Sequence, residues 1–252
     1  MRIGAQLYTV RDYCKTEEEF RNTLKKLAEF GYEYVQISGV GLEPKVIREV
    51  CDEVGMKIRL THTNPDRLLN DPMAVIEEHK IFGCNYVGIG AMPERYKGSY
   101  EGLKDFIKDY SEVAKVLKEN GMSFHYHNHS FEFEKFEGRI GFDIMLEETV
   151  EGDWYFIFDT YWAQHGGVCP TDYINRMEGR IKALHFKDMR MEGSNQKFAA
   201  IGSGNLNWDK IIDACKKTNV EYAFIEQDTH FVDDAITELG RSYRYLNGKG
   251  LK

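Results

Sequence analysis

Several features that mark membrane, secreted or nucleic-acid-binding proteins are missing from this sequence. No apolar run approaches the length of about 20 residues that spans a bilayer. The segment from Met1 to Tyr8 is too short and too polar for the apolar core of a signal peptide. Lysine and arginine number 33 against 41 acidic residues, for a formal net charge of -8. That charge argues against nucleic acid or an anionic membrane as a partner, since both attract basic surfaces. We expect a cytoplasmic protein.

Cysteine patterns and nucleotide-binding motifs are also absent. The five cysteines are odd in number, and no two of them form a CxxC pair. Free thiols in a reducing compartment are therefore expected. No GxGxxG follows the first apolar run, and GxxxxGK[ST] does not occur, so the sequence does not support a nucleotide cofactor.

What the chain does contain is a regular alternation of short apolar runs and longer amphipathic segments. The first of these segments predicts a helix over 17–30, with Thr16 and Glu19 as a capping box and Gly31 at its end. Eight strand-then-helix units follow one another over 252 residues. Such units build parallel sheets with helices outside, and eight of them favour a closed barrel. We expect an α/β fold, a single (β/α)8 TIM barrel that forms one domain over residues 1–252.

Four titratable residues end apolar runs in the second half of the chain. Glu132 follows the fifth predicted strand, Asp159 the sixth, His185 ends the seventh and Glu226 the eighth. In this fold the C-terminal ends of the strands carry the active site. Three carboxylates in one place repel one another, and a divalent cation removes that cost. The set therefore predicts a site for Mn²⁺, Mg²⁺, Co²⁺ or Zn²⁺.

These segments resemble the xylose-isomerase-like TIM barrels, the sugar phosphate isomerase/epimerase superfamily. The matching stretches run from the first strand to the last: residues 3–11, Thr61-His62, His127-Asn128-His129 with Glu132-Phe133, Asp159-Thr160-Tyr161-Trp162, His185-Phe186-Lys187-Asp188 and Glu226-Gln227-Asp228. The resemblance implies that Glu132, Asp159, His185 and Glu226 hold a divalent metal. It also implies that Glu132 and Glu226 are catalytic and move the proton.

One position departs from the ketose 3-epimerases of that superfamily. Those enzymes carry a substrate-holding histidine three residues after the metal-binding aspartate, where this chain has Trp162, and His165 lies further on. The expected substrate contacts come from six side chains: His62, His127, His129, Trp162, His165 and Lys187. Lys187 has an alternative role as a rim lysine paired with Asp188, and the backbone amides of Gly202-Ser203-Gly204 are a candidate phosphate contact.

Several functions remain open from the sequence. The leading one is a metal-dependent sugar isomerase or epimerase that acts on a keto-sugar or sugar phosphate through an enediolate. The second is a lyase on the same scaffold, either a keto-inositol dehydratase or a 3-keto-glycoside β-eliminase. A DNA-repair endonuclease shares the fold, but the acidic charge weighs against it. A non-catalytic sugar-binding barrel is the fourth. The expected partner is a small-molecule sugar, and a homo-oligomer stays open.

Overall fold

The computed structural model describes all residues from Met1 to Lys252. Its strands, in chain order, are β1 (Arg2–Gln6), β2 (Tyr34–Ile37), β3 (Lys57–Thr61), β4 (Tyr86–Ile89), β5 (Ser123–His127), β6 (Lys135–Phe136), β7 (Arg139–Ile140), β8 (Trp154–Asp159), β9 (Ala183–Phe186), β10 (Asp188–Glu192), β11 (Asn195–Ala199) and β12 (Tyr222–Ile225). Eight of them form one parallel sheet in the order β3-β2-β1-β12-β9-β8-β5-β4.

The two ends of this sheet meet and nearly close the barrel. Thr63, just beyond β3, pairs in parallel with Ile89 of β4, and the Thr63 N–H donates to the Gly88 carbonyl at 2.7 Å. β6–β7 and β10–β11 are antiparallel hairpins outside the barrel. The predicted (β/α)8 TIM barrel fold is confirmed.

Helices surround the barrel. They are α1 (Glu17–Phe30), α2 (Pro44–Val54), α3 (Pro65–Asn70), α4 (Pro72–Phe82), α5 (Tyr100–Glu119), α6 (Gly141–Glu148), α7 (Thr160–His165), α8 (Pro170–Arg176), α9 (Trp208–Lys217) and α10 (Ala235–Gly248). The capping box of Thr16 and Glu19 is present at the start of α1, and Gly31 ends that helix in the left-handed conformation. None of these helices combines the length and the apolarity that a bilayer span requires.

The first strand is shorter than the sequence pattern suggests. Residues 3–8 read as a strand, but β1 ends at Gln6 and a 3-10 helix runs over Leu7–Tyr13. The Gln6 side chain accepts a hydrogen bond from the Tyr8 N–H at 3.2 Å, which caps the turn. Leu7 and Val10 are buried all the same, so an apolar run alone does not distinguish this turn from a strand.

A small apolar cluster fills the barrel beneath its C-terminal mouth. Leu60, Ile157, Ala183, Tyr222 and Phe224 pack together there, apart from the larger core between strands and helices. A Cβ atom on Gly4 would overlap the ring of Phe224, so the glycine makes room for the ring. This layer consists of apolar side chains apart from the hydroxyl of Tyr222.

The Gly4–Phe224 contact predicts a stability effect. We expect Gly4→Ala to lower the free energy of unfolding by about 1–3 kcal/mol, because a methyl group forces Phe224 out of its packed position. Urea unfolding followed by circular dichroism measures the change. Gly41→Ala is the matched control, since nothing lies within 4 Å of a Cβ built at Gly41. Equal stability of the two variants would contradict the packing argument.

Candidate metal centre

Four neighbouring strands bring four donor side chains to the C-terminal mouth of the barrel. His127 ends β5, Asp159 ends β8, His185 lies in β9 and Glu226 directly follows β12. One ligand atom from each lies within 4.8 Å of the others, and all four residues are buried. Because β12, β9, β8 and β5 are adjacent in the sheet, the convergence follows from strand order. We call these residues the donor cluster.

Each imidazole of the donor cluster has one nitrogen committed to an outer partner. His127 Nδ1 lies 2.8 Å from the Gly90 carbonyl, and His185 Nε2 lies 2.7 Å from Gln36 Oε1. Carbonyl oxygens only accept, so these nitrogens carry the protons of the neutral rings. The other nitrogens then present lone pairs to the interior of the cluster. This arrangement is typical of metal-bound histidines, whose second nitrogen donates to an outer partner.

The inward lone pairs face carboxylate oxygens. His127 Nε2 lies 3.3 Å from Asp159 Oδ2, and His185 Nδ1 lies 2.9 Å from Glu226 Oε2. His185 Nδ1 is buried and makes no hydrogen bond of acceptable geometry. Lone pairs and anionic oxygens at this distance repel one another unless a proton or a cation lies between them. Glu226 and Asp159 raise the pKa of His185 against the effect of burial, so these oxygens favour a proton on the ring. A bound cation fits the same position.

Lys187 supplies the only buried positive charge beside the donor cluster. Its Nζ lies 3.1 Å from Glu226 Oε2, 2.7 Å from Asp228 Oδ2 and 3.8 Å from Asp159 Oδ2. Burial opposes its charge, but Glu226, Asp159 and Asp228 outweigh burial and raise the pKa of Lys187 above its ordinary value. Three carboxylates and one ammonium leave a charge of about -2 when all are ionised. A divalent cation would balance that charge.

The carboxylates of the cluster stay ionised. Burial alone would raise the pKa of Glu226, but the charge of Lys187 and the contact with the His185 ring hold it well below its usual range. The same balance lowers the pKa of Asp159, where Lys187 and His127 oppose the effect of burial.

Two imidazole nitrogens and two carboxylate oxygens suit Mn²⁺, Co²⁺ or Zn²⁺ better than Mg²⁺, which prefers oxygen ligands.

Glu132, expected as a metal ligand and proton carrier, is not in the donor cluster. It lies on a 3-10 helix, Phe131–Phe133, and is buried. Its Oε1 accepts from the Tyr126 hydroxyl at 2.5 Å and its Oε2 from the His129 N–H at 2.9 Å. β5 ends at His127, and the turn beyond it carries Glu132 towards Tyr126, whose side chain packs in the core outside the barrel. His127 takes the expected place of Glu132.

The environment of Glu132 changes its acidity. Burial raises the pKa of this carboxyl to about 7, although the hydrogen bonds from Tyr126 and the backbone oppose the shift. Two hydrogen-bond donors, the Tyr126 hydroxyl and the His129 N–H, thus hold the carboxyl in the protein interior, and no ion pair does.

A cavity of about 550 Å³ opens above the donor cluster. His62, His127, His129, Lys187 and Glu226 line it, so four of the six expected substrate contacts face this space. The His62 ring lies 5.2 Å from His127 and 5.3 Å from His185, measured between ring centroids. A Cβ on Gly90 would stand 2.9 Å from His62 Nδ1, so this glycine leaves room for the imidazole.

The other two expected contacts do not line the cavity. Trp162 packs behind it, with its ring 5.1 Å from the His129 ring and 5.4 Å from Lys187 Nζ. His165 is exposed on α7 and stacks on Tyr161 at 5.8 Å. The helix α7 starts directly after Asp159, and its turn carries both side chains away from the opening. The structure places Trp162 and His165 outside this cavity, and their role as substrate contacts stays a prediction.

Asp188 organises the Gly202-Ser203-Gly204 loop, the candidate phosphate contact. Its carboxylate accepts from the N–H groups of Gly202 at 2.9 Å and Gly204 at 3.0 Å, and from Trp208 Nε1 at 2.8 Å. The loop amides are therefore engaged inside the protein. Lys187 pairs with Asp228 rather than with Asp188. Glu226 and Asp228 are two residues apart, and this spacing in an extended chain places both on the face that Lys187 contacts.

Comparisons with known proteins place the chain among related barrels. Inosose dehydratases are similar to the chain in sequence: that of Clostridium perfringens is 22% identical over 150 residues, 53% of this chain and 50% of the relative. That of Geobacillus kaustophilus is 24% identical over 192 residues, 66% of this chain and 61% of the relative. The chain thus spans between half and two thirds of the length of these relatives.

A solved structure covers almost the whole chain. The crystal structure of a sugar phosphate isomerase/epimerase from Parabacteroides distasonis superposes with a TM-score of 0.84 at 20% identity, over 97% of this chain and 93% of the other. At that identity the match shows a shared fold. The family model described as xylose isomerase-like TIM barrel matches residues 24–239. Together with the barrel and its polar mouth, that match shows that the chain belongs to the xylose isomerase-like TIM barrel family.

Proposed function

We propose that this protein is a divalent-metal-dependent sugar isomerase or epimerase that acts on a keto-sugar by proton transfer through an enediolate. His127, Asp159, His185 and Glu226 would hold the cation. The observation that carries the proposal is the pair of inward imidazole lone pairs, each facing a buried carboxylate. When bound, a divalent cation polarises a carbonyl as a Lewis acid and stabilises the negative charge of the enediolate.

Glu226 is the proposed base. It lines the cavity, whereas Asp159 is fully buried and does not. Lys187, 3.1 Å from Glu226 Oε2, orients this carboxylate and keeps it ionised. A carboxylate that is ionised and open to the cavity can take the proton from the carbon beside the carbonyl.

Neutral imidazoles line the cavity together with Glu226. Burial, with the neighbouring imidazoles, lowers the pKa of His62 well below its usual range. Burial likewise lowers the pKa of His129 to about 3. Both rings are therefore uncharged at neutral pH and suited to hydrogen bonds with sugar hydroxyls. With Glu132 outside the cavity, the other carboxylates that line it are Glu94, paired with Lys97, and Asp228, paired with Lys187.

The substrate we propose is unphosphorylated. Lys97 and Lys187 are the cations that line the cavity, and Lys187 is already paired with Glu226 and Asp228. The amides of Gly202 and Gly204 donate to Asp188. A phosphate would find no arginine fork in this cavity, and the amides of Gly202 and Gly204 are already engaged.

A metal-dependent lyase is the second candidate. Its support is the similarity to inosose dehydratases and the position of Glu132 outside the main cavity. In that reaction Glu226 takes the proton beside the carbonyl, and the electron pair expels the hydroxyl on the next carbon, which leaves as water after protonation. The carbon skeleton then carries a double bond conjugated with the carbonyl.

Metal affinity distinguishes a site that uses His127 as the fourth ligand from one that uses Glu132. We expect His127→Gln to weaken Mn²⁺ or Zn²⁺ binding by more than the roughly 10–100-fold that loss of an outer-shell partner costs, since it removes a direct donor. Glu132→Gln should bind metal like the unchanged protein. Calorimetric titration of the metal-free proteins gives the affinities, and thermal unfolding checks that both variants fold. Metal loss in Glu132→Gln with retention in His127→Gln would refute the proposed donor cluster.

Solvent exchange tests the proton transfer. We expect the metal-loaded protein in D₂O to place deuterium on the carbon beside the carbonyl of a ketose. Glu226→Gln should slow this exchange by about 10²–10⁴-fold, because the general base is lost. Proton NMR of a panel of ketoses and a keto-inositol measures it, with His62→Gln as a variant that keeps the base.

The same spectra separate the two reactions. Release of water with a new conjugated double bond identifies the lyase, whereas exchange with an intact skeleton identifies the isomerase or epimerase. Absence of any exchange across the panel, with metal bound, would count against both.

A further inference from the structure

A second cavity lies beside the one above the donor cluster. Its volume is about 220 Å³, and its walls are mainly apolar side chains of the α5 start and of the segment after β5. Tyr96 and Leu103 are buried, and Phe131 and Phe136 are half-buried around it. A cavity of about 150 Å³ is sufficient for a benzene molecule, so this one accommodates a single substituted ring.

The two cavities adjoin. Met92 and Lys97 line both of them. Phe131 connects them further, because one face of its ring stacks on His129, which lines the first cavity, at a centroid distance of 5.8 Å. Lys97 Nζ lies 4.3 Å from the centroid of the Phe131 ring. A molecule bound above the donor cluster is therefore one side chain away from the apolar space.

The apolar walls surround one buried acid. Glu132 lines the second cavity with only 3% of its surface exposed. Its two oxygens each accept one hydrogen bond, from Tyr126 and from the His129 backbone. A carboxylate offers about four lone-pair sites, so Glu132 can accept a further hydrogen bond from a ligand. An apolar pocket with one placed polar group is the usual form of a small-molecule site.

We propose that the second cavity is a subsite for a flat apolar ring attached to the sugar above the donor cluster, with a hydroxyl of that ring directed to Glu132. The substrate class is thus a keto-sugar that carries an aromatic or similar ring substituent. This inference depends on the proposed function for the position of the sugar. A phosphate is a poor occupant, because Lys97 is paired with Glu94 and the acids Glu132 and Glu134 line the same space.

Two unreactive glycosides test the subsite on the metal-loaded protein. Phenyl β-D-glucopyranoside and methyl β-D-glucopyranoside share the sugar and differ in the ring. We expect calorimetry to show that the phenyl compound binds at least about tenfold more tightly, since its ring is removed from water. Phe136→Ala should reduce this preference severalfold by removing a wall, with the methyl compound unaffected. Phe30→Ala is the control, because Phe30 is also half-buried but lies on α1, away from the second cavity. This variant should keep the preference.

A second variant, which fills the cavity instead of opening it, keeps the test valid if Phe136→Ala does not fold. Leu103→Phe narrows the cavity and should also reduce the phenyl preference. Equal binding of the two glycosides, a preference that both variants leave intact, or no binding of either at the solubility limit overturns the subsite. Metal binding and deuterium exchange report on the proposed function separately: their survival alongside a lost preference refutes the subsite alone. Their absence alongside a ring preference refutes the proposed function alone.

Discussion

The repulsion among buried acceptors at the barrel mouth is the constraint on which the site depends. Asp159 Oδ2 faces a lone pair of His127, and Glu226 Oε2 faces one of His185. Each imidazole is oriented by an outer carbonyl oxygen, from Gly90 or from Gln36. The protein therefore prepares a compact anionic site from four buried side chains. Burial of unpaired charge is costly, so such a site makes physical sense around a cation.

The surroundings of the donor cluster limit its charge and hold it in place. Lys187 is only 1% exposed and contacts Glu226, Asp228 and Asp159. Its ammonium also lies 4.9 Å from the centroid of the Phe198 ring, a residue of β11, so the outer hairpin covers the lysine. Asn128 links the loop to the cluster, because its Oδ1 accepts from the Asp159 N–H at 3.0 Å. Loop, hairpin and strands thus fix the same few atoms.

The position of Glu132 has consequences for chemistry. A barrel with carboxylates on both sides of the substrate can remove a proton on one side and return it on the other. Here Glu132 lies in an adjoining apolar space, and His62 and His129 line the main cavity with Glu226 and the Lys187–Asp228 pair. In the proposed reaction Glu226 would take the proton, and the substrate would decide between reprotonation and elimination.

The fold and much of the site were readable from the sequence, because both follow from local patterns. Alternating apolar runs and amphipathic segments specified the eight units. Polar residues that end apolar runs, such as Asp159, His185 and Glu226, had to meet at one rim once the strands were parallel. The capping box at Thr16 and Glu19 was equally local.

Tertiary structure decided what depends on the path of the chain beyond a strand. β5 ends at His127, and the following turn sends Glu132 to Tyr126, so a spacing of five residues could not tell which of the two enters the mouth. The partner of Lys187 depended on the adjacency of β9 and β12, which brings Asp228 to it while loop amides engage Asp188. Side-chain direction after a strand ends is set by long-range packing, and no periodicity encodes it.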